Sequence, residues 1–329
     1  MKISALEEHY LLPSVASAWE RLPHQGRDPM ASLDAASDLA RNLASLGERR
    51  LALMDDAGID VQVLSLTTPG LFDLPAVDAV ALQTAINNEI AEAVSRHPQR
   101  FQAFATLAPQ NPEQAAAELD RAVRELGFDG ALIFGRVQGE SIDHKQFWPL
   151  FEAAEALRAP LYLHPQTPPL PVRQAYYGGL GDQVGTALAT YGVGWHYDAG
   201  LQFRRLVLAG VFDRFPNLQI ILGHWGEMLP FYLDRVDGLA GVAHLERTIT
   251  DYVCHNAFLT PGGVFSHRYL KWALEVVGSD RVMFAADYPY VPTRGGGARA
   301  FLAEAELTDD VRDKIASGTW DQIRAEIRR

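Results

Sequence analysis

Imidazole and carboxylate side chains recur in this sequence at the positions where short apolar runs end. Glu7 and His9 close the first such run, and His164 closes another. A third run ends at His224, and Asp287 follows a fourth. Nitrogen and oxygen donors of this kind suit a divalent cation such as Zn²⁺ or Mn²⁺. The pattern predicts a metal site if the fold brings these distant positions together.

Each of these residues, taken alone, has a simpler explanation. A lone histidine at the end of a buried run is most often a core residue bonded to a neighbouring carbonyl. Glu7 suits a loop cap equally well, and Asp287 precedes Tyr288-Pro289, which is typical of a turn. Their joint occurrence at the ends of apolar runs favours chemistry over these separate explanations.

The apolar runs alternate with helical patterns, which indicates crossover connections and a parallel sheet. The β-prone runs span residues 2–9, 61–66, 101–108, 130–135, 160–164, 219–224, 252–258 and 282–287. The helical patterns span residues 37–57, 76–97, 112–126, 145–157, 200–214 and 268–277. This alternation predicts an α/β fold, a (β/α)8 TIM-type barrel, in which all strands end at one rim. A doubly wound open sheet is the competing fold, but no Gly-x-Gly-x-x-Gly follows a strand.

Two segments depart from this alternation. Residues 166–198 are rich in Gly, Pro and Tyr, and we expect a long insertion after the fifth strand, on the active-site face. Residues 307–329 predict terminal helices that cover one end of the barrel. Neither an internal repeat nor a second domain is visible, so residues 1–329 are predicted to form a single domain.

The composition argues against nucleic-acid and membrane partners. The formal net charge is −12, whereas nucleic-acid binding needs a basic face. Apolar runs stay well short of the ~20 residues that a membrane-spanning helix requires. We expect no secretory signal ahead of Glu7. Cys254 is the single cysteine and has no partner for an internal disulfide, so a cytoplasmic location is expected.

Four motifs resemble those of the amidohydrolase superfamily, and in particular its branch of non-oxidative aromatic-acid decarboxylases. They are Glu7-x-His9, Leu163-His164-Pro165, Gly223-His224-Trp225-Gly226-Glu227 and Ala286-Asp287-Tyr288-Pro289. The similarity extends to residues 54–60 and 212–216, so it covers nearly the whole chain. This branch includes the γ-resorcylate, 2,3-dihydroxybenzoate and 5-carboxyvanillate decarboxylases, with aminocarboxymuconate-semialdehyde decarboxylase more distant.

The resemblance implies one Mn²⁺ or Zn²⁺ and no organic cofactor, with the metal held by Glu7, His9, His164 and Asp287. It places His224 beside the metal, with Glu227 orienting the ring. Arg235 falls where the family binds the substrate carboxylate, although from the sequence alone it suits a solvated helix face. Tyr290 and Phe265 lie near predicted rim loops, where we expect them to line the substrate pocket.

The implied reaction is metal-dependent decarboxylation of an ortho-hydroxylated aromatic acid, a dihydroxybenzoate-like substrate. Asp287, kept protonated by burial beside a bound anion, is expected to protonate C1 of the ring before CO₂ leaves. Binuclear members of the superfamily begin with His-x-His and carry a carbamylated lysine on the fourth strand. Residues 130–135 contain no lysine and the first motif opens with Glu7, so the resemblance implies one metal rather than two. The decarboxylases of this branch usually have an asparagine near Phe134, and its absence here leaves the exact substrate open.

Two other readings remain at this stage. On the same scaffold, a metal-dependent hydrolase or hydratase would act on a lactone, ester, amide or unsaturated acid, with Asp287 as a general base. An inactive binding module is disfavoured because every proposed ligand is present. The resemblance also implies a homodimer or homotetramer, in which Arg49 or Arg50 reaches the site of a neighbouring subunit or, more simply, forms a surface salt bridge.

Overall fold

The apolar runs form short, buried parallel strands in the computed structural model, which describes residues 1–23, 27–32 and 34–329. Three of them pair side by side in chain order: β1 (Ser4–Tyr10), β2 (Val61–Leu66) and β3 (Phe101–Ala103). Four more form a second parallel sheet: β4 (Ala131–Phe134), β5 (Leu161–His164), β6 (Ile220–Leu222) and β7 (Ala257–Leu259). Strands buried on both faces in this way are typical of sheets covered by crossover helices.

Isolated parallel bridges join the two sheets into a closed ring. The bridged pairs are Glu8 with Tyr288, Ala105 with Ala131, and Leu259 with Val282. Residues 282–288 therefore occupy the position of an eighth strand, between β7 and β1, but they do so through single bridges rather than a continuous ladder. The backbone N–H of His9 donates to the carbonyl of Tyr288 over 2.7 Å at this seam. The ring confirms the predicted barrel.

Helices fill the connections between strands and cover the outside of the barrel. Those of seven or more residues are Pro13–Glu20, Asp38–Ala44, Glu48–Ala57, Ala76–Arg96, Pro112–Arg124, Trp148–Leu157, Gly194–Leu208, Ile249–Asn256, His267–Val277, Gly297–Glu304 and Thr319–Glu326. Shorter helical turns span Pro29–Ser32, Lys145–Phe147, Val211–Arg214, His224–Glu227, Pro230–Tyr232, Leu233–Val236, Leu239–Val242, Ser279–Arg281, Asp309–Asp313 and Lys314–Gly318. A small antiparallel hairpin pairs Arg136–Val137 with Glu140–Ser141. Within the described part of the chain, no helix combines the length and apolar character needed to cross a bilayer.

Two of the predicted elements are wrong, each for a local reason. The predicted helix 37–57 is interrupted, because Ser45 adopts an extended backbone that ends the first of two separate helices. The predicted strand 252–258 is mostly helix, and only its last residues belong to β7. A capping box between Thr248 and Asp251 starts that helix. The cap and the tertiary packing override the β propensity of its Tyr-Val-Cys sequence.

The two irregular segments lie where the sequence predicts. The insertion consists of helical turns, Leu170–Val172, Arg173–Tyr177, Asp182–Ala187 and Leu188–Gly192, and leads into helix Gly194–Leu208. The terminal helices cover the amino end of the barrel, because Lys2 contacts Asp321 and Asp129 contacts Arg324 just before β1 and β4 begin. The assignment of residues 1–329 to a single domain stays a prediction.

A buried polar network ties β1 to its neighbours on both sides. Gln62 of β2 donates to one carboxyl oxygen of Glu8 over 2.8 Å, and the backbone N–H of Ala286 donates to the other over 2.8 Å. Arg50 donates to the Gln62 side chain over 2.7 Å and to the His9 carbonyl over 2.8 Å. Burial raises the pKa of Glu8 to about 8. The network thus satisfies the hydrogen-bonding groups of Glu8, which lies on the face of β1 opposite to Glu7 and His9.

The position of Arg50 corrects one expectation. Its side chain is fully buried, with 0% exposure, and its guanidinium lies over the ring of Tyr288. It therefore neither reaches a neighbouring subunit nor forms a surface salt bridge. Arg49 is half exposed and bonds Asn42 and Asp38, so its contribution to a neighbouring site stays a prediction.

We predict that Arg50→Met lowers the free energy of unfolding far more than Arg49→Met. The first change leaves Gln62 and the His9 carbonyl without a buried donor, which costs about 1–3 kcal/mol for each. The second removes only exposed contacts, worth about 0–1 kcal/mol. Urea titrations followed by circular dichroism measure the difference. Equal midpoints for the two variants would contradict the role assigned to this network.

Candidate active site

Four side chains converge at the carboxyl end of the barrel. One possible ligand atom from each of Glu7, His9, His164 and Asp287 lies within 4.8 Å of those of the other three. Glu7 and His9 are two residues apart on β1, so both project from the same face of the strand. His164 ends β5, and Asp287 follows the bridged eighth segment. Barrel closure brings these residues together as the sequence predicts, while their metal-binding role stays a prediction.

The two histidines of this cluster are oriented by bonds on their far sides. His9 Nδ1 lies 3.1 Å from the hydroxyl of Ser65, and His164 Nδ1 lies 2.8 Å from the carbonyl of Pro165. A carbonyl only accepts, so His164 carries its proton on Nδ1. Each ring therefore presents Nε2 to the cluster. This is the usual arrangement of metal-binding histidines, whose second nitrogen is fixed by a hydrogen bond.

Two buried atoms of the cluster make no hydrogen bond, namely Glu7 Oε1 and His9 Nε2. Glu7 Oε1 faces His164 Nε2 at 3.2 Å, and His9 Nε2 faces Asp287 Oδ1 at 3.5 Å. An unpaired buried polar atom costs about 1–3 kcal/mol, so this arrangement needs a further partner. Two imidazole nitrogens with two carboxylates are donors that Zn²⁺ and Mn²⁺ accept. The residues present therefore fit one divalent cation.

A tyrosine hydroxyl fixes the carboxylate of Glu7. The hydroxyl of Tyr162 donates to Glu7 Oε2 over 2.6 Å and lies 2.9 Å from the Thr260 hydroxyl. Gly223 is required beside this carboxylate, because a Cβ there would lie 2.8 Å from Glu7 Oε2. These contacts leave Oε1 as the oxygen that faces the other ligands.

His224 reaches the cluster through an unusual turn. Strand β6 ends at Leu222, two residues earlier than predicted, and His224 and Trp225 have φ values of 45° and 60°. Left-handed backbone is uncommon for such residues and persists only where surrounding contacts impose it. Here the backbone N–H of Trp225 donates to the carbonyl of Thr260 over 2.8 Å. The turn places His224 Nε2 3.8 Å from Asp287 Oδ2.

Glu227 and His224 form a buried ion pair. His224 Nδ1 lies 2.7 Å from Glu227 Oε1, and Glu227 is fully buried. Burial lowers the pKa of His224, but the carboxylates of Glu227 and Glu7 outweigh it and raise that pKa well above its usual range. Burial raises the pKa of Glu227, but His224 and His196 outweigh it and lower that pKa to about 2. The pair is thus an imidazolium beside a carboxylate.

Asp287 is ionised in the site without a bound substrate. Its protonation by burial beside a bound anion stays a prediction, and burial does raise its pKa. The adjacent imidazoles of His224 and His9 outweigh that effect and lower the pKa of Asp287 to about 2. Asp287 is therefore an anion in this arrangement, which suits a metal ligand, and an acid role requires it to receive a proton.

His196 belongs to this site but was not among the predicted residues. It lies in helix Gly194–Leu208, and its Nδ1 is 2.9 Å from Glu227 Oε2. Its ring centroid is 4.4 Å from that of His224. No motif marks this position, and the only signal in the sequence is a histidine close to the end of the predicted insertion.

The remaining predicted residues differ in how close they lie to the cluster. Tyr290 packs its ring 5.7 Å from that of His9, and its hydroxyl bonds that of Thr67. Phe265 stacks on Phe284, with ring centroids 5.8 Å apart, and its described ring contacts are with other aromatic residues. Arg235 is exposed on the turn Leu233–Val236. Their roles in substrate binding stay predictions.

Comparison with known proteins identifies relatives along nearly the whole chain. The family described as Amidohydrolase matches residues 16–319. The gamma-resorcylate decarboxylase of Polaromonas sp. strain JS666 is 37% identical over 272 residues, which cover 77% of this chain and 80% of that protein. These matches agree with the resemblance inferred from the four motifs.

Two similar solved structures contain manganese. The 5-carboxyvanillate decarboxylase of Novosphingobium aromaticivorans, with manganese and 4-hydroxy-3-methoxy-5-nitrobenzoic acid, is 33% identical with a TM-score of 0.89, covering 98% of this chain and 96% of that one. The dihydroxybenzoic acid decarboxylase of Polaromonas sp. JS666, with manganese and 2-nitroresorcinol, is 31% identical with a TM-score of 0.86, covering 98% and 97% of the two chains.

We predict that Tyr162→Phe weakens Mn²⁺ binding about 10- to 100-fold, the usual effect of losing a bond that orients a ligand. The change removes the hydroxyl that fixes Glu7 and leaves the ligand itself in place. Isothermal titration calorimetry measures the affinity. Tyr269→Phe, at an exposed position, is the matched control. An affinity equal to wild type in Tyr162→Phe would show that Glu7 needs no such support.

Proposed function

The chain belongs to the amidohydrolase family, and from that premise we propose that it decarboxylates an ortho-hydroxylated aromatic acid without oxidation. The observation that carries the proposal is the buried cluster of Glu7, His9, His164 and Asp287, with the ion pair of His224 and Glu227 beside it. The relatives named above supply the substrate class, because those proteins are decarboxylases of hydroxylated benzoic acids.

One divalent metal ion is part of this proposal, and it would be held by Glu7, His9, His164 and Asp287. Manganese is favoured because the two similar structures contain it, and Zn²⁺ suits the same donors. A bound cation supplies Lewis acidity and a template for the oxygen atoms of the substrate. We propose no organic cofactor, because ring protonation leaves the electron pair of the broken bond in the aromatic system.

The protein's part in the reaction is to deliver one proton to C1 of the ring. Asp287 begins as an anion and receives a proton from His224. Their facing atoms are 3.8 Å apart here, so the transfer requires them to approach to hydrogen-bond distance. The proton then forms the C1–H bond, and the bond from C1 to the carboxylate carbon breaks. Its electron pair restores the aromatic ring, and CO₂ leaves. Glu227 keeps His224 in the orientation that this transfer needs.

The substrate would bind against an aromatic and cationic wall. Tyr290 packs beside His9, and Phe134 lies with its ring 5.7 Å from that of His164. Because the net charge of the chain is −12, positive potential for an acidic substrate has to be local. The metal and Arg235 are the proposed sources. Arg235 is exposed in the single chain, and we propose that the protein forms a homodimer or homotetramer. We also propose that it works in the cytoplasm.

A turnover screen tests the reaction itself. Mn²⁺-loaded protein is expected to release CO₂ from at least one ortho-hydroxylated benzoate and to lose this activity after chelation. The matched substrate control is the same benzoate without its ortho hydroxyl group. Release of an alcohol, an amine or a hydrated acid from other substrates, with no CO₂ from any benzoate, would instead favour the hydrolase or hydratase.

Asp287→Asn is expected to lower kcat by about 10²- to 10⁴-fold, the usual contribution of a proton donor. Asparagine keeps an oxygen that can bind metal but does not carry the transferred proton. Asp309→Asn, at a side chain that is 97% exposed, controls for the change of charge. Metal content is measured in parallel. A metal-loaded Asp287→Asn protein with wild-type kcat would remove Asp287 from the chemistry.

Arg235→Ala is expected to raise KM about 10- to 100-fold with little change in kcat, because a charged hydrogen bond contributes about 1.5–3 kcal/mol. Steady-state kinetics on the substrate found in the screen measure both constants. The exposed Arg268 offers the matched control, Arg268→Ala. If the two alanine variants share the wild-type KM, Arg235 does not bind the substrate carboxylate.

A further inference from the structure

We propose that His196 is a positioning residue for His224 and that it acts through Glu227. The proposal rests on the proposed function, in which His224 supplies the proton to Asp287. It adds to that reaction a residue of helix Gly194–Leu208, outside the four motifs at the strand ends.

The three side chains form an imidazole–carboxylate–imidazole unit. Glu227 Oε1 lies 2.7 Å from His224 Nδ1, and Glu227 Oε2 lies 2.9 Å from His196 Nδ1. A carboxylate oxygen accepts, so each ring donates its Nδ1–H to a separate oxygen. The two rings also touch each other, with centroids 4.4 Å apart and planes inclined at 54°. Each member of the unit is therefore in contact with both others.

A carboxylate held by one bond would not orient His224 well. The last torsion of a glutamate side chain has a broad energy profile, so a single hydrogen bond leaves the carboxyl plane free to turn. A second donor on the other oxygen fixes that plane. His196 provides this donor, and with the plane fixed, His224 Nδ1 stays on Glu227 while Nε2 faces Asp287 Oδ2.

His196 is itself held in place by its helix. Its Nε2 lies 3.2 Å from the carbonyl of Tyr191, in the helical turn just before this helix. Four residues further along, Gly200 packs directly on the backbone of Glu227, and a Cβ at that position would overlap the Glu227 carbonyl oxygen. The helix thus contacts the backbone of Glu227, the same residue whose side chain His196 bonds. The ring keeps 19% side-chain exposure, so its contacts rather than deep burial determine its position.

The first test compares three substitutions in the metal-loaded enzyme. His196→Asn retains a donor close to the position of Nδ1, whereas His196→Gln places its amide near Nε2 and His196→Phe has no donor. We expect Phe and Gln to lower kcat about 10- to 100-fold with little change in KM, and Asn to restore most of the wild-type rate. His267→Phe is the matched control, because that ring also bonds a backbone carbonyl, 2.8 Å away, outside this unit.

The second measurement does not depend on decarboxylation. In ¹⁵N-labelled protein loaded with diamagnetic Zn²⁺, the Nδ1–H proton of His224 is expected to give a resonance protected from solvent exchange. It should persist in His196→Asn and in His267→Phe and should broaden or disappear in His196→Phe and His196→Gln. This readout stays informative if wild-type protein decarboxylates no benzoate, a result that would count against the proposed function alone.

Two outcomes would overturn the proposal. One is an unchanged His224 resonance in His196→Phe, and the other is equal kcat for folded Asn and Gln variants. Circular dichroism and bound metal are recorded for every variant. If His196→Phe does not fold, the comparison of Asn with Gln decides, because only the position of the amide donor differs between them.

Discussion

The burial of three ionisable side chains in a row on β1 is the constraint on which this site depends. Glu7, Glu8 and His9 are all fully buried, and each needs polar partners. Glu8 finds them in Gln62 and the backbone of the bridged eighth segment, which fixes β1 in the barrel wall. Glu7 and His9 point the other way and keep unpaired atoms at the rim. The barrel therefore encloses polar groups whose unpaired atoms a cation can bind.

Negative carboxylates and a positive imidazolium alternate around that centre. Asp287 is held ionised by His224 and His9, and Glu227 by His224 and His196. His224 is held protonated by the carboxylates of Glu227 and Glu7. A left-handed turn at His224 and Trp225 accompanies this arrangement, in which the His224 ring lies between Glu227 and Asp287. The strained turn and the ion pair therefore depend on each other. The contacts that fix the turn also place the protonated ring of His224 next to Asp287.

The sequence predicted the barrel and its polar rim because strand ends converge in any parallel barrel, whatever their separation along the chain. It did not predict what depends on side-chain packing. Arg50 was expected to reach a neighbouring subunit or to form a surface salt bridge. It is buried instead, since Gln62 and the carbonyl of His9 offer it bonds that no pattern reveals. The ionised state of Asp287 in the ligand-free site depends on neighbouring imidazoles that outweigh burial. His196 was missed because only the fold brings its helix onto Glu227.

Anomalous diffraction from crystals grown with Mn²⁺ tests the central claim most directly, because it locates the ion without reference to activity. We predict one strong peak per chain, coordinated by Glu7 Oε1, His9 Nε2, the Nε2 atom of His164 and a carboxylate oxygen of Asp287. A map without a peak at this rim, or with the ion held instead by His196 and Glu227, would contradict the account.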